Sequence, residues 1–239
     1  MFIQEPRRFT SFITHPLITR NIRAHKWISW HPPEWPWCTL STDGAHKSHG
    51  TSTAGGLIRD HLGRWLTGFG MMIGSCFVTV AELWGLYQGI QLAWNSGIRR
   101  LKVETDSLCI TQLVARPSVL TNEYAPLVQS IKDYLKLDWH VSISHIYRET
   151  NFVADYMTNL AFSILLGLTV YPSPPLGVRA LLLHDSYRVS HPISCSLALF
   201  RAPVNQKKKN IEGKNLFCKC HPARLATLVK AALHFSTFS

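Results

Sequence analysis

The chain has 239 residues, a formal net charge of +11, 46% hydrophobic residues and 11% aromatics. That length bounds it to one domain with a sizeable core, or one domain with tails, and the apolar content excludes a disordered chain. The charge is uneven: across residues 37–166 ten Lys or Arg balance ten Asp or Glu, so the whole excess falls in the two ends.

A neutral body with basic tails argues against one phosphate-binding face spread over the whole molecule. Six cysteines, at 38, 76, 109, 195, 218 and 220, form no CxxC pair. Reduced thiols in an intracellular protein, of nucleus or cytoplasm, fit that spacing better than a disulfide scaffold. Cys218-Lys-Cys220-His221 has no second ligand pair at zinc-finger spacing. Residues 1–10 carry no apolar run of the signal-peptide kind. The longest apolar stretch, residues 160–171, amounts to about half a membrane span. The expectation is a soluble monomer with no membrane partner.

Residues 1–36 end in His31-Pro-Pro-Glu-Trp-Pro-Trp37, whose prolines predict an extended lead-in. A strand is predicted over 37–42, a turn rich in small residues over 43–53, and a hairpin of strands at 55–60 and 64–71 with Gly63 in its turn. Residues 79–95 repeat Val80, Leu83, Tyr87, Ile90 and Trp94 at helical steps and meet a stop at Gly97. A strand follows over 100–105, by alternation of Leu101, Val103 and Thr105. Helices are predicted over 107–115 and 122–137, then a strand through Trp139, Val141, Ile143 and His145. The last helix spans 151–166, with Asn151 placed to cap it. The order β-β-β-α-β-α-α-β-α describes an α/β fold, a mixed five-stranded sheet flanked by helices over residues 37–166. From residue 167 to 239 the pattern decays into a basic, largely irregular extension.

Four carboxylates fall at informative places. Asp43 ends the first predicted strand, Glu82 sits in the first turn of the long helix, Asp106 ends the fourth strand, and Asp155 lies in the first turns of the last helix. Strand ends and helix starts meet at one edge of an α/β sheet, where ligands bind. Taken singly, each acid has an ordinary explanation in the helix dipole or a turn. No Gly-x-Ser-x-Gly elbow and no phosphate-cradling loop point to other chemistry.

Taken together, Thr42-Asp-Gly-Ala45, Ala81-Glu-Leu-Trp84, Glu104-Thr-Asp-Ser107 and His145-Ile-Tyr-Arg-Glu-Thr-Asn-Phe-Val-Ala-Asp155 resemble ribonuclease H type 1. More narrowly they are similar to the plant group related to the ribonuclease H regions of non-LTR retrotransposons. The resemblance implies a metal-dependent endonuclease that hydrolyses the RNA strand of RNA–DNA hybrids. It implies two magnesium ions, or manganese in their place: Asp43 bridging both, Glu82 and Asp106 on the first, Asp155 on the second. Hard carboxylate oxygens suit such ions, and two ions can activate water and clamp a phosphate. It further implies that His145 aids proton transfer or product release, a task for an imidazole. Ser48, Thr51 and Ser52 are then candidates to meet ribose 2′-hydroxyls, and Asn151 is either a helix cap or a support of the metal site. The short 116–122 segment, with one basic residue, lacks the basic protrusion that some relatives use to grip DNA. Two departures stand out, Ser41 before Thr-Asp-Gly and the polar Tyr156-Met-Thr-Asn159 run in the last helix. The alternative reading is a catalytically silent nucleic-acid-binding module of the same fold.

Overall fold

A computed structural model describes residues 23–116 and 123–196. The basic stretch beyond residue 196 with its Cys218-Lys-Cys220-His221 motif, most of the lead-in, and all of 116–122 except Arg116 lie outside the described residues. Strand β1 (Arg23–Ile28) is followed by β2 (Cys38–His46), β3 (Ser52–Arg59) and β4 (Trp65–Gly74). Helix α1 (Val78–Asn95), strand β5 (Arg100–Thr105), helices α2 (Leu108–Ala115) and α3 (Ala125–Leu135), and strand β6 (His140–His145) come next. After helix α4 (Phe152–Leu160) the chain adds β7 (Gly167–Tyr171), α5 (Arg179–Ser186) and β8 (His191–Ser196).

The main sheet is mixed, in the order β6-β5-β2-β3-β4-β7: the β6-β5 and β5-β2 pairs are parallel, and the β2-β3, β3-β4 and β4-β7 pairs are antiparallel. One face carries α1, whose Leu86, Gly89 and Ala93 lie on the sheet. The helix stops at Gly97, which takes φ +76° while its neighbour Ile98 donates back to the Ala93 carbonyl oxygen, a left-handed cap that glycine adopts without strain. The other face carries α4. Both helices lie against the sheet because two positions lack a Cβ: one added at Gly44 would meet the Glu82 backbone, and one at Gly55 the Thr158 backbone.

The larger departures from expectation lie in β2, in α4 and beyond residue 167. Strand β2 runs to His46, so Asp43 lies inside a strand and the turn shrinks to 47–51. Asp43 pairs there with Gly55, which extends the ladder past the expected turn. Helix α4 closes at Leu160 and passes into a 3-10 turn, Ala161–Ser163. The segment expected to be irregular from residue 167 instead supplies β7, a sixth strand on the edge of the sheet, and β8, which pairs with β1 in a separate ribbon.

A buried polar network fastens these added segments to the sheet. Arg59, fully buried at the end of β3, donates to Asp185 at 2.6 Å and stacks under the Trp30 ring, 3.3 Å from its centroid. The Trp30 indole donates to Glu104 at 3.0 Å, and Lys102 pairs with the same carboxylate at 2.7 Å. Burial pushes the Arg59 guanidinium below its ordinary range, opposed by Asp185 and Glu104, as expected for a cation taken out of water and compensated by carboxylates.

Candidate active site

Asp43 lies in β2 and Asp106 directly after the neighbouring β5, at the edge where α1 begins and α4 docks. Asp43, Glu82 and Asp106 each place a carboxylate oxygen within 4.8 Å of the others. Glu82 is the fifth residue of α1, and the first turn holds no acid, so a dipole role for it does not apply. Its Oε2 is buried without a hydrogen-bond partner. Asp155 does sit in the first turn of α4, but it falls outside that 4.8 Å group. Its Oδ1 accepts a hydrogen bond from Arg148 at 3.1 Å and its Oδ2 one from Asn159 at 3.1 Å.

The electrostatics reflect the crowding. Burial, then Asp106 and Asp155, raise the Asp43 carboxyl to about 7. Burial, then Asp43 and Asp106, raise Glu82 to about 9. Arg148 opposes both shifts. Carboxylates held this close stay ionised together only when cations join them. An unpartnered buried oxygen and a donor set of hard carboxylates fit a divalent ion such as Mg2+ or Mn2+.

A pH dependence follows. Folded Asp43 and Glu82 keep protons that unfolded carboxyls release near pH 4. The folded state then binds more protons between about pH 4 and 9, so its stability falls as pH rises through that window. Chelator-treated protein should lose about 2 kcal/mol between mildly acidic and mildly alkaline buffer, read by urea titration. A flat profile would contradict this crowding.

Neighbouring residues hold the acids in place. Asn151 stands at the start of α4 yet makes no capping hydrogen bond. Its Nδ2 instead donates to the Thr42 carbonyl oxygen at 3.0 Å and to Asp106 Oδ1 at 3.2 Å, so it braces the cluster. Asn151→Ala should cost about 1–2 kcal/mol of stability and about tenfold in divalent-metal affinity, measured by calorimetry. The unusual polar run in α4 serves the same place. Thr158 donates to the Asp43 carbonyl oxygen at 3.1 Å, Thr53 donates to the Thr158 carbonyl oxygen at 2.9 Å, and Asn159 holds Asp155.

His145 ends β6, exposed, with Nε2 3.2 Å from the Asp106 carbonyl oxygen, in position to donate to it. Of the three hydroxyls considered for 2′-hydroxyl contact, Ser52 turns inward. It is buried, donates to the Cys76 carbonyl oxygen at 2.6 Å and lies 2.9 Å from His46 Nδ1. Ser48 is exposed and Thr51 half-buried beside it in the turn. Sequence reasoning passed over Arg148 and Asn159; the only signal in the sequence was their spacing from Asp155, seven residues before and four after.

Residues 41–161 match the family described as reverse transcriptase-like. The chain belongs to that family. Among relatives, this reverse transcriptase-like chain is 36% identical over 171 residues to an Arabidopsis thaliana protein named as a ribonuclease H protein. The match takes in 71% of this chain and 28% of that protein, so the chain spans little more than a quarter of its relative's length. Among solved structures it resembles RNase H1 of the halophilic archaeon Halobacterium salinarum NRC-1, with a TM-score of 0.50 at 21% identity. The overlap covers 53% of this chain and 97% of that one, so the reverse transcriptase-like region has the ribonuclease H fold.

Proposed function

We propose that this domain is a divalent-metal-dependent endonuclease that hydrolyses the RNA strand of RNA–DNA hybrids by a two-metal mechanism. The observation that carries the reading is the convergence of Asp43, Glu82 and Asp106 within 4.8 Å on a ribonuclease H fold. Asp43 is assigned to both ions, Glu82 and Asp106 to one, and Asp155 to the other. When bound, such ions lower the pKa of water, orient the scissile phosphate and neutralise developing charge. The protein's part is placement. Asn151 Nδ2 donates to Asp106 Oδ1 and so fixes that carboxylate, and Thr158 fixes the Asp43 backbone. Buried walls on both sides keep the acids in a weakly screened setting. His145 is exposed at the rim, able to carry a proton to or from the leaving oxygen. Ser48 and Thr51, in the turn between β2 and β3, are assigned to read the 2′-hydroxyl that separates RNA from DNA.

The assignment of the working compartment to the cell interior rests on the thiols of Cys38, Cys76 and Cys109, free among the described residues. Among those residues no helix is long and apolar enough to cross a membrane. The test uses the full chain, magnesium and a hybrid with each strand labelled in turn. Cleavage of the RNA strand alone is expected. Tight binding of the hybrid with neither strand cut would instead favour a silent binding module.

A further inference from the structure

Three of the four acids converge and the fourth does not. Asp155 is the one outside the group, and it is the one that meets a cation. Arg148 rises from a 3-10 turn, Arg148–Thr150, between β6 and α4, and its Nη2 donates to Asp155 Oδ1 at 3.1 Å. Its side chain is 75% exposed while that of Asp155 is 33% exposed, so the guanidinium reaches the rim of the cluster from solvent and is free to leave. Asn159 takes the second carboxylate oxygen, which leaves no oxygen of Asp155 without a donor. Each oxygen keeps a second lone pair, so a cation can approach Asp155 beside either donor, but it does so against the charge of Arg148. Asn159 sits one helical turn along and carries no charge, whereas the guanidinium also repels an incoming cation.

We propose that Arg148 is the cluster's resident counter-ion, which competes with divalent metal for Asp155 and turns outward to a backbone phosphate of the nucleic acid once metal is bound. The proposal rests on the reading under Proposed function and adds a positioning residue to it. A guanidinium suits both partners, because its planar fork pairs with carboxylate and phosphate alike. Exchange of one anion for the other couples metal loading to substrate binding: each releases the group that the other needs. By linkage, hybrid should then raise metal affinity in the wild type, and that gain should shrink when the arginine is removed.

The experiment is a calorimetric titration of the full-length chain with MnCl2, in wild type, R148A and R148K, paired with hybrid binding in Ca2+. R148A should bind Mn2+ about three- to tenfold more tightly than wild type, the range set by loss of one exposed, multiply coupled ion pair. R148K, which keeps a charge without the fork, should fall between them. Hybrid binding by R148A should weaken by about tenfold with a shallower salt dependence, as one phosphate contact is lost. Equal or weaker Mn2+ affinity in R148A, with a wild-type melting curve, would overturn the proposal and leave the metal reading intact. Absence of Mn2+ binding in both proteins would overturn the metal reading and this proposal together.

Discussion

Asp43→Asn should lower magnesium-dependent cleavage of an RNA–DNA hybrid by at least about a thousandfold, equivalent to about 4 kcal/mol of transition-state stabilisation. The loss should fall on the rate and spare binding, with hybrid affinity in Ca2+ changed by less than about threefold. The reason is local. Asp43 is 8% exposed inside β2, with Glu82 and Asp106 within reach on two other elements, and it is the acid assigned to both ions. Asparagine keeps the shape and removes the charge, so the strand, the Gly44 approach to α1 and the Thr158 hydrogen bond to the backbone all survive. Single-turnover rates at saturating enzyme, beside melting curves, separate this outcome from misfolding. A residual rate within tenfold of wild type would remove Asp43 from the chemistry.

Asp185→Ala should destabilise the fold by about 3–5 kcal/mol, the range for stranding one member of a buried ion pair. Arg59 is 1% exposed and its position in β3 gives it no path to water. Without Asp185 its guanidinium would keep only the Trp30 face and the more distant field of Glu104. Exchanging both residues for apolar ones, Arg59→Met with Asp185→Leu, should recover much of the loss, because the desolvation penalty disappears with the charges. Urea titrations of the single and double variants test this. A single variant within about 1 kcal/mol of wild type would mean that the 172–196 segment is not part of the cooperative unit.

Those two predictions also divide what was legible in the sequence from what was not. The helix over α1 was readable because Val80, Leu83, Tyr87 and Ile90 keep a helical period and all are buried. The acids were readable because each stands in a short motif whose element order is local information. The added strand β7 was not, since its partners in β4 lie about a hundred residues earlier and its alternating Leu168 and Val170 are exposed instead of buried in the core. Arg59 was hidden for a related reason. A charged residue ending a strand reads as surface, and only the distant Asp185 and Trp30 turn it into core. Asn151 shows the same limit at the site itself. Its place at a helix start predicts a cap, yet two acceptors on β2 and after β5 draw its amide across the cluster. Long-range partners decide such cases, and spacing along the chain does not encode them.

Anomalous scattering from crystals of the full chain grown with MnCl2 shows whether the cluster is a divalent-cation site. Mn2+ density is expected among the carboxylates of Asp43, Glu82 and Asp106, and its loss in Asp43→Asn. Absence of density there, at a Mn2+ concentration that supports cleavage of the hybrid in solution, would contradict that assignment.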